Sequence, residues 1–248
     1  MKQNTRKMLT PIAVCLAVGG TSSLNAAVIT DDFSAGLAAW APTVILDNNG
    51  GGSNTSAFQV NGSNQLELNT TAYDGIEQLA YIRNGAVLNI GEEAQLDMNT
   101  PISGNRNIGL YIGGTAPSAG VRVDYISVYA GSTGNPASRV FQRGFDGTSE
   151  YTNLLADPTT SSDMVFIART AANTFETGFY EGGVRTIIST LTPGTANTAD
   201  FVGLYADVRA TGIVSANIDE FRIVTAVPEP STALLGALGA LGLLRRRR

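Results

Sequence analysis

The chain has 248 residues, 16 basic and 21 acidic side chains, a single cysteine and no histidine. The missing histidine removes Ser-His-Asp catalysis, histidine-based zinc sites and imidazole proton transfer together. Carboxylates and tyrosines remain as acid–base groups, and oxygens as metal ligands. Between Ala27 and Ala226 nine arginines and no lysine stand against twenty carboxylates, a net charge of −11, which argues against nucleic acid or anionic lipid as a partner.

Met1 to Lys7 carries Lys2, Arg6 and Lys7, and Met8 to Gly20 is apolar apart from Thr10. Small residues follow, with cleavage sites at Leu24-Asn25-Ala26 or Asn25-Ala26-Ala27. Residues 1–26 therefore read as a secretory signal peptide with a signal helix. Cys15 lies inside the apolar run, preceded by Val14 where a lipoprotein box wants a small residue, so it is lost with the signal. The mature protein then has no disulfide and no thiol chemistry. Residues 27–226 make one domain, long enough to bury a core.

From Val28 onward short runs rich in Val, Ile, Phe, Tyr and Thr are broken by Gly, Asn, Asp, Ser and Pro, the pattern of many strands and turns. Val28–Phe33 is the first strand, leading through Gly36-Leu37 to Trp40; Thr43–Leu46 alternates weakly before a polar, glycine-rich loop, Asp47–Asn54. Ala57–Val60 and Gln65–Asn69 flank Asn61-Gly62, a hairpin signal. Ile76–Arg83 and Ala86–Ile90 predict strands around Asn84-Gly85, and Glu92–Met98 one with Leu96 and Met98 on one face. Asn107–Ile112 reads as a buried strand and Gly113–Gly120 as a turn. Val121–Ala130 alternates, and Ser138–Phe145 follows a loop. Met164–Arg169, Phe175–Glu181 and Val184–Thr190 form a meander whose Gly182-Gly183 suits a primed two-residue turn. Phe201–Tyr205 and Ile213–Val224 close the domain. Ile108-Gly109-Leu110-Tyr111 is echoed by Val202-Gly203-Leu204-Tyr205, and Asp124 and Asp219 follow at similar spacing. This is either a pair of related strand–loop–strand units or chance. About a dozen short strands in one domain predict an all-β, two-sheet antiparallel sandwich or jelly roll.

Past Ala226 the character changes. Pro228 and Pro230 stop any helix or strand. An apolar run, Thr232–Leu244, precedes Arg245, Arg246, Arg247 and Arg248. As a helix the run spans roughly 20 Å, short of the ~30 Å hydrocarbon core, a reach that Ser231 and snorkelling arginines extend. Terminal arginines mark the cytoplasmic side. Residues 227–248 closely resemble the PEP-CTERM sorting signal: Val-Pro-Glu-Pro-Ser, a short glycine-containing span and an arginine cluster. The resemblance implies that an exosortase recognises Pro228, Glu229 and Pro230 and cuts nearby. The arginine cluster serves as the membrane stop. The protein passes the secretion translocon, is anchored transiently in the inner membrane by the C-terminal transmembrane helix, and ends at the cell surface or in an exopolysaccharide, biofilm-type matrix.

Asp32-Phe33 leading to Trp40, Phe175 to Gly183, Val202 to Ala206 and Ile218 to Ile223 are similar to the concanavalin A-like, laminin G-like sandwich family. That resemblance implies a carbohydrate-binding possibility; no enzymatic activity is expected. Trp40, Tyr73, Tyr129 and Tyr151 are the candidate ligand-binding aromatics, although Trp40, just after the first strand, reads first as a plug at one end of the core. No catalytic residues and no metal ligands are assigned. Calcium is conceivable at Asp47-Asn48-Asn49 or with Asp157 and Asp163, but Phe58 stands where an EF-hand loop needs Glu. Paired carboxylates of the glucanase type are not apparent: Glu92 to Asp97 departs from the Glu-x-Asp-x-x-Glu strand, and adjacent Asp219 and Glu220 point to opposite faces. Three readings stay open. One is a lectin-like exported module. The second is a structural matrix or coat protein with no specific ligand. The third is a glycoside hydrolase.

Overall fold

The computed structural model describes residues 27–47, 57–69, 77–98, 106–131, 139–156, 164–208 and 213–225. These contain strands β1 (Ala27–Asp31), β2 (Trp40–Asp47), β3 (Phe58–Val60), β4 (Leu66–Asn69), β5 (Glu77–Arg83), β6 (Glu92–Met98), β7 (Arg106–Gly113) and β8 (Tyr125–Gly131). They continue with β9 (Arg139–Phe145), β10 (Glu150–Ala156), β11 (Met164–Ala171), β12 (Thr174–Glu181), β13 (Val184–Leu191), β14 (Phe201–Val208) and β15 (Ile213–Thr225). No helix occurs among the described residues, so none there crosses a membrane. The expected signal helix and sorting helix lie outside them.

All pairings are antiparallel and form two sheets. One runs β13-β12-β11-β6-β15-β4-β3, with β1 along the same side of β15 as β4; the other runs β10-β9-β8-β7-β14-β5-β2. The period-2 alternation puts Leu96, Val165, Ile167, Phe175, Phe221 and Ile223 of the first sheet against Leu79, Ile108, Leu110, Ile126, Val128 and Leu204 of the second, all fully buried in one core. Each such side chain contributes roughly 1.5–3 kcal/mol by leaving water. The domain is thus the all-β sandwich that the alternation predicts.

The structure departs from the sequence reading in three places. Glu150–Ala156, where the sequence pattern predicts no strand, is strand β10 on the sheet edge. Ala86–Ile90, read as a strand, is irregular; its backbone is taken instead by the Leu88 N–H bond to the Ala199 carbonyl and by Arg169, which donates to the Leu88 carbonyl. Val121–Asp124 makes only an isolated bridge, through Val121 to Ser118. The meander turn is as expected, with Gly182 and Gly183 both at positive φ (57° and 76°). In the β3–β4 hairpin the left-handed residue is Asn64 (φ 60°), and the Asn61 side chain accepts the Ser63 and Gln65 N–H groups.

The repeated Gly-x-Tyr resolves into a pairing. β7 and β14 are antiparallel neighbours, with Gly109 opposite Tyr205 and Gly203 opposite Tyr111. A side chain at Gly109 would collide with the β8 backbone at Val128 and Tyr129, and one at Gly203 with the β5 backbone at Tyr81 and Ile82. The segments after them part company: Tyr125–Val128 stays in this sheet, and Ile218–Ile223 belongs to the other. The echo is a local symmetry of two strands, not a repeated unit.

Every described edge strand is blunted. β1, β2, β10 and β13 each carry one extra residue against their partner, at Val28, Ile45, Leu155 and Ile188. β2 also holds Pro42, and β3 is three residues long. Bulges, proline and shortness are the devices that stop sheets from adding to one another. The exported domain is therefore expected to stay monomeric by light scattering across a wide concentration range. A mass that rises with concentration, lost in a proline variant of β13, would contradict this.

Candidate functional site

The outer faces of the two sheets differ in chemistry. On the eight-stranded sheet the outward row is polar. Glu93 accepts from Tyr180 Oη (2.8 Å), Gln95 Nε2 (2.6 Å) and Arg185 Nε (3.0 Å). Arg185 also pairs with Glu176 and lies 4.0 Å over the Phe166 ring. Arg222 joins Gln95 to Glu220. Each of these contacts satisfies a half-buried group from within the protein, which is what a stable solvent-side lattice requires.

On the seven-stranded sheet the outward row is aromatic. In Tyr125-Ile126-Ser127-Val128-Tyr129 alternation sends Ile126 and Val128 to the core and Tyr125 and Tyr129 outward, where they join Tyr111 and Tyr205 in a second buried cluster. The rings form a continuous layer: Tyr111–Tyr125 at 5.5 Å, Tyr125–Tyr205 at 6.0 Å, Tyr205–Tyr129 at 5.5 Å and Tyr129–Phe141 at 5.4 Å between centroids. Phe141, Phe145 and Phe201 are only partly buried and rim this layer. Phe201, Gly113, Tyr125 and Phe145 lie in one cross-strand row, and the space above Gly113 is taken by the Tyr111 ring and hydroxyl.

Polar groups sit among the rings. Arg143 Nη1 donates to Asp207 Oδ2 at 2.6 Å, and its Nε to Glu150, which also receives Arg122 Nη1 at 2.9 Å. The Tyr111 hydroxyl and the Asn107 Oδ1 are buried with no hydrogen-bond partner. Such groups are costly unless a water or ligand meets them. Burial pushes the Tyr125 hydroxyl up to about 12 and raises Tyr111 and Tyr205 as well. These tyrosines are therefore neutral donors at any physiological pH, not bases.

Hydrolysis of a glycosidic bond asks for two carboxylates, one able to carry a proton. The outward carboxylates described between these rings, Asp207 and Glu150, are both paired with Arg143. Among the described residues no three metal-ligating side chains converge. Asn48–Gly51, Asp157 and Asp163, where calcium was conceivable, lie outside the described residues.

Of the aromatics singled out from sequence, Trp40 is not a surface platform. It is 5% exposed, packs its edge on Phe221 (5.2 Å) and donates its indole N–H to Asp31. Tyr129 is also buried, as floor of the outer layer rather than as an open ring. Tyr151 lies in β10 and not in a loop. Tyr73 falls outside the described residues, as do Pro228, Glu229, Pro230 and Arg245–Arg248. Phe141, Phe145 and Phe201 were missed. The signal was present: Phe-x-Arg-x-Phe at 141–145 is a two-residue period placing all three outward.

Residues 226–248 match the PEP-CTERM protein-sorting motif. The chain carries this export and membrane-anchored sorting signal at its C-terminus. No curated protein matches the chain in sequence. Solved structures share its fold. The Bacillus licheniformis β-glucanase superposes with a TM-score of 0.55 at 11% identity, covering 79% of this chain and 97% of that one. The LamAcat protein of Zobellia galactanivorans gives 0.51 at 12%, covering 82% and 99%. A Mycobacterium tuberculosis immunostimulatory antigen, described as a pseudo β-1,3-glucanase, gives 0.50 at 12%, covering 81% and 99%. At such identities the likeness is one of fold, the β-sandwich jelly roll.

Proposed function

We propose that this exported sandwich binds polysaccharide on the outer face of its seven-stranded sheet without cleaving it. The observation that carries this is the aromatic layer, rimmed by the partly exposed Phe141, Phe145 and Phe201. Ring faces at the rim suit the apolar faces of sugars. Similarly folded proteins that are described as glucanases favour a glycan over other ligands. Asp207 and Glu150 are both paired with Arg143, which supports binding without cleavage. The blunted sheet edges disfavour a coat built by strand addition. After sorting, the module would hold matrix polysaccharide at or outside the cell surface.

The test is retention of the exported protein on immobilised β-glucans and other polysaccharides, with and without calcium, while new reducing ends are assayed. Retention on one class without reducing ends is the expected result. Reducing ends that vanish in an Asp207→Asn variant would replace binding by hydrolysis. No retention on any polysaccharide would remove the carbohydrate reading.

A further inference from the structure

The two ends of the described domain lie side by side. Ala27, at the start of β1, pairs with Val224, and β15 stops one residue later at Thr225. The apolar run of the sorting segment starts at Thr232. Seven residue steps, fully extended, cover at most about 25 Å. An anchored domain is therefore tethered by this end, close to the bilayer.

That end has a surface unlike the rest. Thr225 pairs with Glu92, Glu92 with Arg169, Arg169 with Phe175, and Phe175 with Leu191, so one row of strand ends defines it. Arg169 fixes the loops there. Its guanidinium donates to the carbonyls of Leu88 (2.9 Å), Thr198 (2.6 Å) and Ala172 (2.7 Å). The loop Asn84–Gly91 and the turn Ala171–Asn173 carry no charged residue, although the domain bears −11. Glu92, next to the loop, is turned back onto the N–H and the side-chain amide of Asn89. Ile90 is 58% exposed, Val28 54% and Val87 42%. The exposed Asp200, next to the Ala199 carbonyl that holds Leu88, lies to one side of them, and branched aliphatics exposed on a rigid surface beside a membrane anchor are suited to the lipid interface.

We propose that this end of the sandwich rests on the lipid surface while the sorting segment is uncut, with Val28, Val87 and Ile90 at the hydrocarbon boundary. Cutting the tail removes the tether, and the few apolar side chains alone do not hold a strongly acidic domain on the membrane. The contact thus marks the uncut state and orients the domain with its far end, at Val184, away from the bilayer.

The protein supplies its own test, because the mature chain has no cysteine. The chain is exported in a host without exosortase, which removes Cys15 with the signal and leaves the tail intact. Single variants Ile90→Cys, Val28→Cys and Val184→Cys carry an environment-sensitive dye in phosphatidylcholine vesicles containing bromine-labelled acyl chains. Val184 is 66% exposed at the opposite end and serves as the reference. Quenching at Ile90→Cys and Val28→Cys should exceed that at Val184→Cys by at least about twofold and fall to the reference level once the tail is cut. Equal quenching at all three positions would overturn the proposal. So would shielding of Ile90→Cys that persists in detergent without lipid, which would assign the surface to a second copy. Unaltered Trp40 emission in each variant controls for folding.

Discussion

Replacing Trp40 by alanine is expected to destabilise the domain by roughly 3–5 kcal/mol, the range for removing a large buried aromatic. The indole touches Phe33 at 5.9 Å and Phe221 at 5.2 Å between ring centres. Its N–H and the Arg83 Nε both donate to Asp31 Oδ2, at 3.0 and 2.8 Å, and Asp31 Oδ1 accepts the Phe33 N–H. The truncation opens a cavity and unbalances an ion pair in one step. Trp40→Phe keeps most of the volume and leaves Asp31 with Arg83, so its cost should be smaller, about 1–2 kcal/mol. Urea unfolding followed by far-UV circular dichroism measures both. A Trp40→Ala variant of full stability that had lost polysaccharide retention would return the residue to the sugar-stacking role that the sequence also allows.

Alkali should unfold the protein. The domain has no histidine and no cysteine, the side chains whose ordinary pKa values fall between about pH 6 and about pH 9. Burial pushes Tyr81 and Tyr125 up to about 12 and raises Tyr111, Tyr180 and Tyr205 too. In the unfolded chain these hydroxyls ionise near their ordinary value of about 10. A raised folded value means that the folded state keeps the proton longer. The stabilisation is complete below pH ~10 and is lost as pH climbs through the folded values, at about 1.4 kcal/mol per unit for each tyrosine involved. Several tyrosines acting together consume a total stability of ~5–15 kcal/mol within about one to two units. Tyrosinate absorbance and loss of far-UV signal should therefore rise together, cooperatively, near pH 11. Ionisation of all eight tyrosines near pH 10 in a still-folded protein would contradict the buried layer.

Fold and address were legible because both are written in local patterns. Alternation in Tyr125–Tyr129 and Phe201–Tyr205 follows from the strand period alone, and the proline-bounded apolar tail with its arginines reads without a partner. β10 was missed because Glu-Tyr-Thr-Asn-Leu-Leu-Ala lacks β-branched residues beyond one threonine; its strand state comes from pairing with β9, a tertiary term. Ala86–Ile90 was misread for the opposite reason. It has strand-like residues, but Arg169 and Ala199, distant in sequence, take its backbone groups. Trp40 was ambiguous because a lone tryptophan near a strand start serves as plug or platform. Only the position of Asp31 and Phe221 decides. The rim phenylalanines were visible as a period, but which of two outward faces would be aromatic depends on sheet order, which short-range patterns do not contain.

The most direct test of polysaccharide binding on the seven-stranded sheet is affinity electrophoresis through gels cast with the polysaccharide that retains the wild type, comparing Phe145→Ala and Phe201→Ala with Tyr180→Phe on the other sheet. The account predicts roughly tenfold weaker retention, about 1.4 kcal/mol, for each rim variant, and wild-type retention for Tyr180→Phe, whose outward row is satisfied from within. Wild-type retention by the Phe145→Ala, Phe201→Ala double variant, with an unchanged far-UV spectrum, would place the ligand elsewhere and contradict it.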